Sequence, residues 1–466
     1  MDIAPAAQFD ERSAVPSGPD RAGSLSPTTG LRWVALLWVA SMHTGVGVIA
    51  KTYGSILLAR GGAFALPGVT LSVFGHIAGF GFVATSLFFV LAGYSVTVSN
   101  LDPRSGALRR PAPEFWRSRL IRFLPLLVIT QAVRIPQFLL TTHDRSPADL
   151  VASIAVNLLG LQAFFPRYVR DLNDPSWTLG VLLICWALFP WYAPRIARLA
   201  PRTALAAMLG CLLVSLGIAS LFQSLHGTID RTLETADYWT SLVHTHPIVR
   251  IPEFLSGVLL VQVHRGYAPW VAKHAPTLFV GALVALALAC ALDEVVIPYI
   301  FMHNGVMVPI GWALLVGLAE YGAVRAVTPR PPIVSRLDRF CRYVVAWLGR
   351  PAMIRAGKAS FSFYLLHAVP VASLIVARNL IGGRPALFRG PIHVVSPWEL
   401  LLPFAYLATM TVVSVRFHEQ FLVPLTRHIG RRFALKTVPT AAWPENAQPA
   451  PIGTGRPAEA QTSLVA

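Results

Sequence analysis

Arginine and histidine are rare inside apolar stretches, yet LRWVALLWVASMH holds one of each, Arg32 and His43, eleven residues apart. At ~100° per residue in an α-helix, that spacing returns both side chains to within about 20° of one face, and sets His43 about 16 Å beyond Arg32 along the axis. One face therefore presents a cation at the mouth of an apolar helix and an imidazole near the middle of a membrane. A neutral imidazole removes a hydroxyl proton near pH 7. The pair thus suits a reaction between an anionic donor on one side and an acceptor reaching in from the other. The alternative is a core histidine bonded to a neighbouring helix, and spacing alone does not separate the two.

Other polar residues sit where a membrane should not tolerate them. In FWRSRLIRFLP, Arg119 and Arg122 are three apart and share a helix face. Paired guanidiniums bind phosphates through bidentate donors, so a nucleotide-bearing donor such as coenzyme A fits them; simple anchoring by positive charge is the competing explanation. GKASFSFYLLH places Ser360, Tyr364 and His367 in one polar stripe, of the kind that lines bundle interiors. Arg250 and Glu253, in RIPEFLSGVLL, either pair at the interface or line an acceptor cleft. Trp177, in DPSWTLG, falls at a water–lipid boundary, where it either anchors the helix or offers its face to a sugar ring.

The elements that must position these groups are membrane helices. Of 466 residues, 54% are hydrophobic and 13% charged, with mean hydropathy +0.57. A soluble surface needs more charge than that, whereas lipid-facing helices are apolar all round. Apolar spans fall at roughly 31–50, 76–99, 120–141, 177–193, 203–225, 250–264, 276–292, 304–322, 359–378 and 398–417. The run 150–165 reads as a short interfacial helix. The fold class is thus all-α, a polytopic integral membrane bundle of about ten transmembrane helices.

The net charge of +17 does not indicate nucleic acid, because no basic stripe with interleaved aromatics lies on a soluble domain. Lys and Arg concentrate in 100–122, 194–203, 323–358 and 427–436. The intervening loops carry acids such as Asp144, Asp171, Asp174, Asp230 and Asp293. This alternation follows the positive-inside rule and predicts both termini in the cytoplasm. Residues 1–30 and 431–466 read as disordered cytoplasmic tails around a membrane domain at 31–430, and the first tail has no apolar core for a cleaved signal. Cys185, Cys211, Cys290 and Cys341 have no metal-ligand or disulfide spacing and read as small hydrophobes. No metal site is expected. Neither an internal repeat nor a pair of broken helices stands out.

Taken in order, these fragments resemble the acyltransferase 3 family of bacterial membrane proteins. Arg32 and His43 match its Arg, ten residues, His pattern. SLFFVLAGY (Ser86–Tyr94) is similar to its FFVLSG stretch, and Arg119 and Arg122 to its Arg-x-x-Arg. PSWTL (Pro175–Leu179), GKASFSFYLLH and HEQFLVP (His418–Pro424) are similar to its later segments. The resemblance implies a ten-helix bundle in the bacterial inner membrane. It also implies transfer of an acyl group, commonly acetyl from acetyl-coenzyme A as co-substrate, to a hydroxyl of a cell-surface or lipid-linked carbohydrate. His43 would be the base, Arg32 would orient it or neutralise donor charge, Arg119 and Arg122 would hold the donor's phosphates, and Trp177 and His367 would shape the cavity. The family often has an acid where this chain has Thr29, Ser86 and Leu182, and Glu253 is the candidate to supply a carboxylate from another helix. A transporter or flippase for a polar glycan or lipid, or an inactive family member, are the alternatives.

Overall fold

The computed structural model describes residues 26–102, 105–227, 238–292, 297–324, 336–370 and 401–432. Residues 1–25, 371–400 and 433–466, and Asp230, Glu234, Asp237, Asp293, Glu294, Arg104, Arg325 and Arg330, lie outside the described residues, while 26–30 and 431–432, predicted as ends of disordered tails, are helical.

Among the described residues every extended element is helical. In chain order these are α1 (Ser26–His43), α2 (Val46–Arg60), α3 (Ala65–Gly79), α4 (Ala84–Asn100), α5 (Ala112–Thr141), α6 (Pro147–Leu158), α7 (Trp177–Ile196), α8 (Pro201–His226) and α9 (Tyr238–Thr245). There follow α10 (Pro247–Gly266), α11 (Ala268–Ala291), the single turn α12 (Tyr299–Phe301), α13 (Met307–Val324), α14 (Arg336–Leu348), α15 (Pro351–Leu366), α16 (Leu401–Arg416) and α17 (Val423–Arg432). Seven stretches are long and apolar enough to cross a bilayer, and α1 with α2 makes an eighth if the bent pair is one span. Two further predicted spans are also helices of the bundle. The polar helix α10 packs on α4, α7 and α8, and the short α15 on α1 and α16. Large apolar side chains stay exposed on the outside, as at Leu213 and Leu225 on α8 and Leu288 on α11. That is the surface a lipid-facing helix needs. The chain is an all-α membrane bundle.

Two helices break inside the bundle. The expected first span, 31–50, stops at His43 and resumes at Val46 after a bend of 65°. The helix before α13 breaks at Asn304 and Gly305, where the backbone leaves helical angles. The two breaks read MHTGV (Met42–Val46) and MHNGV (Met302–Val306). Each has a histidine two residues before a glycine of positive φ, 73° at Gly45 and 120° at Gly305. Glycine alone takes such angles without steric cost. Beyond the first break, α2 and α3 form a hairpin whose backbones nearly touch: a Cβ on Gly47 would lie 2.6 Å from the Gly79 nitrogen, and one on Gly75 2.7 Å from the Gly47 oxygen. The basic stretch 323–358, predicted as a loop, contains α14, whose Cys341 faces inward and is buried.

Helices α4 and α10 cross at equally close range. A Cβ on Gly93 would meet the Phe254 oxygen at 2.0 Å, and one on Gly257 would meet the Val90 oxygen at 2.0 Å. The crossing brings Ser86 of α4 against Glu253 of α10. A side chain there must push two backbones apart, and overpacking costs ~1–3 kcal/mol. Gly93→Val and Gly257→Val should each lower the thermal unfolding midpoint in detergent, followed by tryptophan fluorescence. Gly281→Ala, which meets open space on α11, should hold or raise it.

Candidate active site

His43 is the last residue of α1, so the helix break exposes it within the bundle. Its Nδ1 lies 3.0 Å from Nε2 of His367. The two rings are parallel to within 5° with centroids 5.3 Å apart, which is the geometry of an in-plane bond between ring edges. His367 Nδ1 in turn lies 2.7 Å from the Tyr364 carbonyl oxygen. That oxygen only accepts, so Nδ1 of His367 carries the hydrogen. A neutral His367 then has its lone pair on Nε2, which accepts from His43 Nδ1–H. The remaining nitrogen, His43 Nε2, bears a lone pair. The carbonyl end of α1 favours positive charge at this point, and so stabilises the imidazolium that forms when Nε2 takes a proton.

The predicted stripe on α15 faces inward as a unit, with Ser360, Tyr364 and His367 all buried. The segment between α6 and α7 folds over its end. Asn173 Nδ2 donates to the Leu365 oxygen at 2.9 Å, two residues before His367. Gln131 of α5 holds this segment by accepting from the Asn173 backbone N–H at 2.9 Å and donating to Ser176 Oγ at 2.7 Å. Gln162 donates to the same hydroxyl at 3.0 Å. Arg145 forks onto Asp171 at 2.5 and 3.0 Å. Asp149 accepts from Tyr168 at 2.7 Å, and its carboxyl is held below the ordinary range first by that hydroxyl, then by Arg167 and Arg145. This brace gives the PSWTL segment its work: Ser176 fastens a loop against the histidine pair.

Arg32 lies toward the other end of α1, with Nη2 3.4 Å from Ser95 Oγ. Arg119 and Arg122 do share a face of α5. Arg119 stacks over Phe115 and Trp186 at 5.2 and 5.4 Å, and Arg122 over Phe123 at 5.4 Å. Phe123 itself stacks on Trp186. The three arginines are close enough for their charges to act on one another, and Arg122 and Lys358 also act on His418. Three helices, α1, α5 and α15, thus gather cations, and those of α5 rest on an aromatic floor that holds their guanidinium planes.

Arg250 and Glu253 are placed elsewhere than at an interface. Both are wholly buried and paired at 3.0 Å. Arg250 also donates to the carbonyl oxygens of His303 at 2.9 Å and His244 at 2.6 Å, and bonds His303 Nδ1. Ser86 Oγ lies 2.9 Å from both Glu253 Oε1 and the His303 oxygen. The group therefore satisfies the carbonyl freed by the break at Asn304. Trp177 is buried as well, 8% exposed, with Arg250 over its ring at 5.7 Å and Phe89 at 6.0 Å. Its predicted boundary position fails because the start of α7 is drawn inward by Ser176. Sequence reasoning missed His244, His303, Gln131, Asn173 and Arg170; the repeated MH-x-GV pentapeptide was the one available signal for His303.

Residues 29–415 match the acyltransferase domain of the acyltransferase 3 family, and the chain belongs to that family. It is similar to the acyltransferase MdmB of Streptomyces mycarofaciens, with 25% identity over 439 residues that cover 92% of this chain and 98% of that protein. No solved structure matches the chain. The bundle is therefore a membrane acyltransferase.

Removing one partner of a buried ion pair costs ~3–5 kcal/mol, because the other charge is left uncompensated. Glu253→Ala should lower the unfolding midpoint sharply. Glu253→Gln, which keeps an oxygen for Arg250 and Ser86, should lower it less. Equal midpoints for the two variants would mean that the carboxylate oxygen does not hold this cluster.

Proposed function

We propose that the protein transfers an acyl group, acetyl in the simplest case, from acyl-coenzyme A to a hydroxyl of a cell-surface or lipid-linked carbohydrate. The observation that carries this reading is the hydrogen-bond order Tyr364 oxygen, His367, His43, which leaves His43 Nε2 as a fixed proton acceptor. The basic, aromatic-floored cluster of Arg32, Arg119 and Arg122 is the donor end. There the guanidiniums take the phosphates of coenzyme A. With that end in the cytoplasm of a bacterial cell, as the distribution of Lys and Arg favours, the acceptor arrives from the opposite face.

The reaction is a direct displacement. The acceptor oxygen attacks the thioester carbonyl as His43 Nε2 takes its proton. The tetrahedral intermediate collapses, the C–S bond breaks, and the departing thiolate takes the proton held on His43 Nε2, which returns the imidazole to its neutral form. His43 is the catalytic base. His367 is a positioning residue that fixes its tautomer. Arg250, Glu253 and Trp177 contribute by shaping the layer beneath the site. The family's frequent acid at the Ser86 position has a counterpart in Glu253, whose Oε1 lies against Ser86 Oγ, and this supports the reading of an active member.

General-base catalysis contributes ~10²–10⁴-fold. His43→Ala should lower kcat for label transfer from radiolabelled acetyl-coenzyme A by about that factor, with folding and membrane insertion intact. His367→Ala should cost about 10–100-fold. His367→Gln should retain more, because its amide oxygen can accept from His43 Nδ1. Arg119→Ala and Arg122→Ala should raise the KM for acetyl-coenzyme A about tenfold or more. Undiminished transfer by His43→Ala would sink the mechanism.

A further inference from the structure

Most of the polar layer is sealed. His367, Arg250 and Glu253 have essentially no exposure, and Asn173 has 1%. Arg170 and Asp174, in the segment that covers α15, are different. Their side chains are 25% and 41% exposed, so they stand where the buried site meets solvent at the end opposite the arginine cluster. They form only a loose pair, Nε to Oδ1 at 3.8 Å. Both of those atoms are buried without a hydrogen-bond partner among the described residues, and so is Oδ1 of the adjacent Asn173. A donor and two acceptors left unsatisfied in one turn are costly unless something bonds them.

The pair is close to the chemistry. Asp174 follows the residue whose side chain bonds the Leu365 oxygen, beside the Tyr364 oxygen that orients His367. The Arg170 charge acts on His43, and also on His244 and His303. The Asp174 charge acts on His367 and Tyr364. Asp174 also faces Arg134, which is tied to the Leu172 oxygen at 3.0 Å.

We propose that Arg170 and Asp174, with Asn173 Oδ1, form the subsite that binds the acceptor, reading an uncharged polyhydroxylated ring by bracketing the hydroxyl next to the one acylated. A hydroxyl both accepts and donates. Entering between the pair, it accepts from Arg170 Nε–H and donates to Asp174 Oδ1. The loose pair opens to admit it and the unmet bonds are made. An anionic acceptor would meet Asp174 and a cationic one Arg170, so the pair selects against both. This rests on the acyltransfer reading with His43 as base, and it adds the residues that recognise the acceptor and the requirement that the recognised ring be uncharged.

The test separates binding from chemistry. Methyl glycosides of glucose, galactose and mannose are the probes, titrated into the purified full chain without donor, with tryptophan fluorescence as the binding signal. At least one should bind saturably. Arg170→Gln and Asp174→Asn should each weaken it about tenfold or more, the loss of a charge-assisted hydrogen bond, and Arg170→Lys should restore part. In a second assay, hydrolysis of acetyl-coenzyme A by water should keep its KM for acetyl-coenzyme A in both pair variants, while the glycoside KM rises. No saturable binding to the parent chain, unchanged binding in the variants, or a parallel loss of hydrolysis and transfer would each overturn the subsite. Binding that depends on the pair, with no transfer by the parent chain, would uphold the subsite and put the failure on the base.

Discussion

The site depends on a single hydrogen bond between two imidazoles, His43 Nδ1 to His367 Nε2 at 3.0 Å. The two residues are 324 apart in the chain, so the bond forms only when α1 and α15 are already packed side by side. That packing is backbone against backbone. A Cβ on Gly357 would lie 2.2 Å from the Thr29 oxygen, and, where α14 leads into α15, one on Gly30 would lie 2.1 Å from the oxygen of Leu348, the last residue of α14. Small residues drive such contacts in lipid, where no hydrophobic force distinguishes a neighbouring helix from an acyl chain. The same closeness sets the ring-to-ring distance and therefore the tautomer. The glycine of GKASF and the histidine of YLLH are thus two ends of one device.

The second constraint is the cost of interrupting a helix where there is no water. Breaking α1 at Thr44 frees carbonyls that local bonds recapture: Thr44 Oγ lies 3.2 Å from the Ser41 oxygen, and Gly45 N–H donates to the Met42 oxygen at 3.2 Å. Breaking the helix at Asn304 is harder to repair locally. Arg250 reaches across from α10 to cap the His303 oxygen, and Glu253 with Ser86 completes the group. A buried guanidinium is costly alone, yet here it meets a carboxylate, two carbonyls and an indole face at once. The two breaks share a pentapeptide but have different repairs, and only the first leaves a ring nitrogen poised as a base.

How much of this was legible in the sequence follows from the range of each interaction. The shared face of Arg119 and Arg122 and the inward stripe of Ser360, Tyr364 and His367 are local periodicities, and both appear in the helices; Arg32 and His43 are carried on one helix, α1. The all-α membrane bundle was legible for the same reason, since hydropathy is a property of each stretch alone. What the sequence hid is non-local. Trp177 reads as a boundary aromatic because its neighbours are polar, and nothing nearby reveals that Ser176 is gripped by Gln131, which draws the indole inward. Arg250 and Glu253 read as an interfacial pair because they open an apolar run, while their burial is decided by a break some fifty residues later. The breaks escaped notice because hydropathy averages over them; positive-φ glycines after MH were the cue.

A bundle with two broken helices invites a transport reading, since discontinuous helices often cradle cargo at the membrane midplane. The satisfaction of the freed groups argues otherwise. A cargo site needs carbonyls or helix ends left open for the passenger, whereas here the His303 oxygen is taken by Arg250 and Ser86. At the other break, the Ala40 and Met42 oxygens are taken by Thr44 and Gly45. Beside the first break stands a nitrogen lone pair on His43, a group suited to taking one proton rather than holding a solute. The cations gathered on aromatic rings lie on one side of it, and the exposed pair Arg170 and Asp174 on the other. The asymmetry is that of an enzyme meeting two different substrates from two faces, not of a path along which one substrate passes.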